Sequence, residues 1–86
     1  GMNDPRVMTF QEWFAANLDL AEQLRSERGL DGLDGLGRSG AVTIIHAPDG
    51  DYIWPTEVVS EMRNRYQARK QADQEAFKRY MESLLS

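Results

Sequence analysis

Apolar residues recur in three different rhythms along this 86-residue chain. In the first third, Phe10, Phe14, Leu18, Ala21 and Leu24 fall at three- and four-residue intervals, and Trp13 and Leu20 widen the stripe. Glu22, Arg25, Glu27 and Arg28 decorate the other side. That period predicts an amphipathic helix. Its start is marked by Thr9-Phe-Gln-Glu12, a capping box. The Thr9 hydroxyl can accept from the Glu12 backbone N–H, and the Glu12 carboxylate from that of Thr9. Met8 and Trp13 stand where a hydrophobic staple forms. Gly29 can adopt the left-handed conformation that ends a helix. One helix is therefore expected over about Thr9 to Arg28.

The second rhythm is a short β-branched run, AVTIIH, followed after APDGD by YIW. Pro48-Asp49-Gly50 suits a type I turn with its glycine in the left-handed position of a bulge. The expected hairpin sets Ala41–Ala47 against Asp51–Trp54. A three-residue loop pairs Ala47 with Asp51, His46 with Tyr52, Ile45 with Ile53 and Ile44 with Trp54. One face then carries Thr43, Ile45 and Ile53, and the other Val42, Ile44, His46, Tyr52 and Trp54. Both faces are apolar enough to call for cover.

In the third rhythm no glycine or proline interrupts the chain from Thr56 to Leu84. Pro55 and Thr56 open a second helix, because a proline is tolerated in or beside the first turn. Val58, Val59, Met62 and Tyr66 form one apolar stripe, and Ala76, Phe77, Tyr80, Met81, Leu84 and Leu85 another. Between them QARKQADQE offers only Ala68 and Ala72. An unbroken helix of about 29 residues runs roughly 43 Å, longer than a globule of this size. Either it breaks in the polar middle, or its C-terminal half reaches a second copy of the chain.

The order helix, hairpin, long helix predicts an α+β fold (α-β-β-α), with the helices packed on a small antiparallel sheet. Residues 2–86 are expected to form one domain, with 29–40 as a glycine-rich connector; Gly1 ahead of Met2 reads as a scar of tag removal. A chain this short buries about 60–65% of its unfolded surface, and a lone two-stranded sheet is marginal in water. Dimerisation would complete the sheet or cover Phe77–Leu85.

Composition narrows the classes. The absence of cysteine excludes a disulfide framework and a thiolate metal site. No apolar run approaches the roughly 20 residues of a membrane span, and no signal-peptide pattern is present, so a cytoplasmic protein with no membrane partner is expected. A net charge of −4 weighs against nucleic acid as the main partner. Against that stands RNRYQARK, an acid-free run holding Arg63, Arg65, Arg69 and Lys70 around Tyr66. Arginines beside a tyrosine can hold phosphates and stack on a base. The competing reading is a solvated helix face with i,i+4 pairs from Glu61 to Arg65 and from Arg69 to Asp73.

Candidate chemistry adds little. Gly35-Leu-Gly37-Arg-Ser-Gly40 spells G-x-G-x-x-G, but a dinucleotide loop must follow a strand and open a helix, and here the order is reversed. The loop reads as a connector into which Leu30, Leu33 and Leu36 can insert. Asp31, Asp34, Asp49 and Asp51 carry oxygen ligands, yet the twelfth position from Asp31 is Val42 rather than an acid. Asp49 and Asp51 read as turn residues. His46 is the only histidine, with Asp51 and Tyr52 across the hairpin. General-base work is conceivable there, but no nucleophile motif or triad accompanies it. No catalytic residue, cofactor or metal is assigned, and no enzyme is expected. What remains is association surface: Val42, Ile44, Tyr52 and Trp54 on the hairpin, and Phe77, Tyr80, Met81, Leu84 and Leu85 at the C-terminus. The expected role is a small protein-interaction or regulatory protein acting as a homodimer, another homo-oligomer or an adaptor. The alternative is a nucleic-acid-associated protein using Arg63, Arg65, Tyr66, Arg69 and Lys70.

Overall fold

Helix α1 (Phe10–Ala16) begins where the capping box places it. In this computed structural model, which describes residues 8–30 and 41–85, the Glu12 N–H donates to Thr9 Oγ1 over 3.2 Å. The Thr9 N–H donates to Glu12 Oε1 over 2.9 Å. The expected single helix does not continue to Arg28, however. It stops at Asn17, and a second helix, α2 (Leu18–Glu27), starts from the same residue. Asn17 leaves helical geometry at φ −127° and ψ 37°. Its side-chain amide donates to the Trp13 carbonyl at 2.8 Å, and its backbone N–H turns to Phe14 O at 3.0 Å. An asparagine side chain competes with the backbone for such carbonyls, and here it bends the chain.

The far end of α2 follows the sequence. Gly29 takes φ +68°. Its N–H donates to Ser26 O, and the Leu30 N–H to Arg25 O, both at 3.0 Å. That pair of bonds is a Schellman cap, and the residue after the glycine, Leu30, is buried as the motif favours. The remainder of the glycine-rich connector, including the G-x-G-x-x-G run, Leu33, Leu36, Asp31 and Asp34, lies outside the described residues.

Strands β1 (Val42–Ala47) and β2 (Gly50–Pro55) form an antiparallel hairpin, but one residue out of the expected register. Pro48 and Asp49 alone make the turn, and Gly50 pairs with Ala47 at φ +136°. His46 then faces Asp51, Ile45 faces Tyr52, Ile44 faces Ile53 and Thr43 faces Trp54. Because side chains alternate, a one-residue slip exchanges the two faces of a whole strand. The expected loop would have put Ile45 and Trp54 on opposite sides. The observed one puts both inward, where they are buried together.

Helix α3 (Thr56–Leu85) follows Pro55 without a loop. The Thr56 N–H extends the hairpin ladder by donating to Ala41 O at 3.1 Å, and the Thr43 and Thr56 hydroxyls share a 2.9 Å hydrogen bond. The helix is unbroken over its 30 residues, about 45 Å. Only Val58, Val59, Met62 and Tyr66 of it are buried.

Those four residues close a core with Phe10, Trp13, Phe14, Ala21, Leu24, Leu30, Ile45 and Trp54. Aromatic rings run through it: Phe10 meets Tyr66 edge-on with centroids 5.6 Å apart, and Phe14 meets Trp54 likewise at 5.8 Å. Such geometries add about 0.5–1.5 kcal/mol each beyond area burial. The Tyr66 hydroxyl donates to Met8 O at 2.6 Å, which ties α3 to the residues before α1.

Candidate interaction surfaces

An amphipathic helix is held to a domain by the side chains it buries, and on α3 burial ends at Tyr66. Beyond that point the helix continues for 19 residues to Leu85. Phe77 is 51% exposed, Leu84 60% and Leu85 85%, and Tyr80 and Met81 are exposed as well. All five C-terminal residues read as association surface therefore lie together on the surface.

The direction of this stripe follows from helical geometry. At about 100° per residue, Val58, Val59, Met62 and Tyr66 fall within an arc of roughly 100°. Phe77, Tyr80, Met81 and Leu84 fall within an arc of the same width that overlaps most of the first, with Leu85 at its flank. The exposed stripe thus prolongs the core-facing side of the helix past the end of the core. Lys70 and Asp73, both only partly exposed, sit on the same line between the two apolar groups.

The hairpin divides the residues assigned to it. Tyr52 and Trp54 turn inward: Trp54 is buried, and Tyr52 packs against the core with its ring 6.4 Å from that of Phe14. Val42 and Ile44 remain on the outer face, joined by Ile53 at 63% exposure. The expected three-residue loop sets Ile53 on one face with Thr43 and Ile45 instead of beside Ile44. A two-residue count would have found it there.

The basic run is spread over several contacts. Arg65 Nε lies 3.4 Å from Glu61 Oε1, and Arg69 Nε lies 3.1 Å from both Asp73 carboxylate oxygens. Both expected i,i+4 pairs are present. Glu61 also reaches Arg28, which caps the end of α2, at 3.6 Å. The Arg63 guanidinium covers the Phe10 ring at 4.1 Å, and the Lys70 ammonium stands 5.9 Å from the Tyr66 ring centre. Tyr66 itself is buried, so its ring has no open face for a base.

At the hairpin turn, His46 Nδ1 lies 2.9 Å from Asp51 Oδ1, with both side chains well exposed. The Tyr52 hydroxyl donates to Asp49 Oδ2 at 2.6 Å. That bond, and to a smaller extent burial, raises the Tyr52 pKa above the ordinary phenol value. Asp49 and Asp51 thus hold neighbouring side chains. An open recess of about 310 Å³ lies beside the turn, lined by Glu12, Ala15, Ala16, Pro48 and Asp49. Its Glu12 carboxylate is engaged by the helix cap, and its Asp49 carboxylate by Tyr52. Among the described residues no three histidines or carboxylates converge as a metal site, and no helix is long and apolar enough to cross a membrane. No protein-family model, curated protein or solved structure matches the chain.

Proposed function

We propose that this is a small protein-interaction or regulatory protein that acts as a homo-oligomer, with the C-terminal half of α3 as its contact surface. The observation that carries the reading is the stripe of Phe77, Tyr80, Met81 and Leu84, about half exposed, which continues the core-facing side of α3 beyond the last buried residue of the helix. Fully burying one such side chain contributes roughly 1.5–3 kcal/mol. Several from each copy, each about half exposed, supply the apolar burial that offsets the cost of association. The outer hairpin face of Val42, Ile44 and Ile53 is a second apolar surface available to an adaptor role.

The alternative, a nucleic-acid contact through Arg63, Arg65, Arg69 and Lys70, draws less support. Two of the arginines share their charge with carboxylates, Arg63 packs on Phe10, and Tyr66 is buried. Light scattering on a size-exclusion column tests the main reading. The parent chain should elute with a multiple of its monomer mass at tens of micromolar. Phe77→Glu combined with Tyr80→Glu should give a monomer with unchanged far-ultraviolet dichroism. A monomeric parent at high micromolar concentration, or a double variant that keeps the parent mass, overturns it.

A further inference from the structure

We infer that two copies pair their α3 helices antiparallel, so that the last turns of one helix dock beside Arg69 and Lys70 of the other. This rests on the self-association reading above and specifies its geometry.

Steric fit favours the antiparallel pair. The exposed stripe lies on the same side of α3 as α1, α2 and the hairpin, because it prolongs the buried face of Val58, Val59, Met62 and Tyr66. A helix laid along the stripe therefore runs toward the packed core at the N-terminal half of α3. In a parallel pair the two cores would arrive at the same level on facing sides and claim the same space. In an antiparallel pair they lie at opposite ends. Each core then acts as a stop for the end of the partner helix. The overlap is confined to Gln67–Leu85, about 28 Å at 1.5 Å per residue, with Phe77 near the two-fold axis.

Charge placement favours the same orientation. Lys70 and Asp73 lie on the stripe's own line, and a parallel in-register pair would stack each on its own copy, which is unfavourable. The antiparallel pair instead brings residues 80–85 of one helix to residues 67–73 of the other. The last turn of α3 contains no basic residue, and its unsatisfied carbonyls form the negative end of the helix dipole. The segment receiving it, residues 67–73, carries Arg69 and Lys70 and one carboxylate, Asp73, which Arg69 Nε already meets at 3.1 Å. Lys70, on the stripe's own line, then serves with Arg69 as a seat for a helix C-terminus.

Area is sufficient. Aromatic side chains bury roughly 150–250 Å² each. The roughly half-exposed Phe77, Tyr80, Met81 and Leu84 of two copies therefore supply on the order of 1,000 Å², near the lower end of specific interfaces.

The chain has no cysteine, so a single spin label is unambiguous. Ser60→Cys places one on an exposed position at the core end of α3. Antiparallel pairing about Phe77 separates the two labels by about 50 Å, whereas parallel pairing at an interaxial distance of 8–10 Å keeps them under about 30 Å. A second measurement tests the seat. Leu84→Lys should weaken the dimer roughly five-fold more than Leu84→Glu at low salt, and adding Lys70→Glu should reverse that order. A short label distance in a dimer overturns the orientation. A long distance without the reversal overturns the seat. A chain that stays monomeric overturns the self-association reading and this inference with it.

Discussion

Thr9 and Glu12 show how much one pair of side chains decides locally. Each satisfies a backbone N–H that the first turn of α1 leaves without a helical partner. Thr9→Ala should lower unfolding free energy by about 0.5–2 kcal/mol in a denaturant titration. The Glu12 pKa is held below the ordinary carboxylate value, first by the Thr9 backbone N–H and then by its hydroxyl. A pKa depressed by folding contributes stability that is present above the unfolded value and lost as pH falls through the folded one. Glu12→Gln keeps the acceptor but removes the charge. The parent should thus be the more stable at neutral pH, and the gap should close as pH falls below the carboxylate range. A gap independent of pH would show that the charge plays no part. His46, beside the turn, meets Asp51 across the hairpin in an exposed contact.

At the scale of elements, the hairpin register is the decisive feature. Trp54 and Ile45 are buried, and Ile53 and Ile44 are exposed, only because the loop has two residues. Trp54→Ala should destabilise by about 3–5 kcal/mol, as for other buried large aromatics. Ile53→Thr should stay within about 0.5 kcal/mol, as for a surface site. Comparable losses at both positions would mean that the strand is one residue out of register. Gly50 at φ +136° occupies a conformation side chains rarely adopt, so Gly50→Ala should cost on the order of 1–3 kcal/mol, although an added Cβ meets nothing within 4 Å. The break at Asn17 belongs to the same scale. Apolar periodicity passes through it unchanged, since α1 and α2 both turn their stripes to one core. Nothing in that periodicity distinguishes one helix from two.

For the whole molecule, α3 sets the behaviour, as it belongs to the core for its first three turns and leaves it for the remainder. A helix segment outside a core exchanges its amide hydrogens through local fraying, and one inside a core exchanges through larger openings. In the Phe77→Glu, Tyr80→Glu double variant, amides of residues 74–85 should exchange much faster than those of residues 59–66. In the parent at concentrations where it self-associates, residues 74–85 should become protected. Fast exchange there at every concentration would place the contact elsewhere, with the hairpin face of Val42, Ile44 and Ile53 next in line.

The local chemistry of this chain was settled by neighbours in sequence. The capping box at Thr9, the glycine end at Gly29 and the two apolar stripes after Thr56 follow from spacings of three or four residues, and the hairpin follows from a β-branched run beside turn residues; the same spacings left open whether α3 runs unbroken. The i,i+4 pairs of Glu61 with Arg65 and of Arg69 with Asp73 follow in the same way. Three other properties depended on partners far along the chain. The hairpin register was decided by the burial of Ile45 and Trp54 against Phe14 and α3, because turn chemistry at Pro48-Asp49-Gly50 admits two loop lengths that differ only in which face is covered. The burial of Tyr66 came from Phe10, Trp13 and the Met8 carbonyl, more than fifty residues away. Where α3 parts from the core was decided by the size of the body formed by α1, α2 and the hairpin, which ends at Tyr66 while the helix and its apolar side run on.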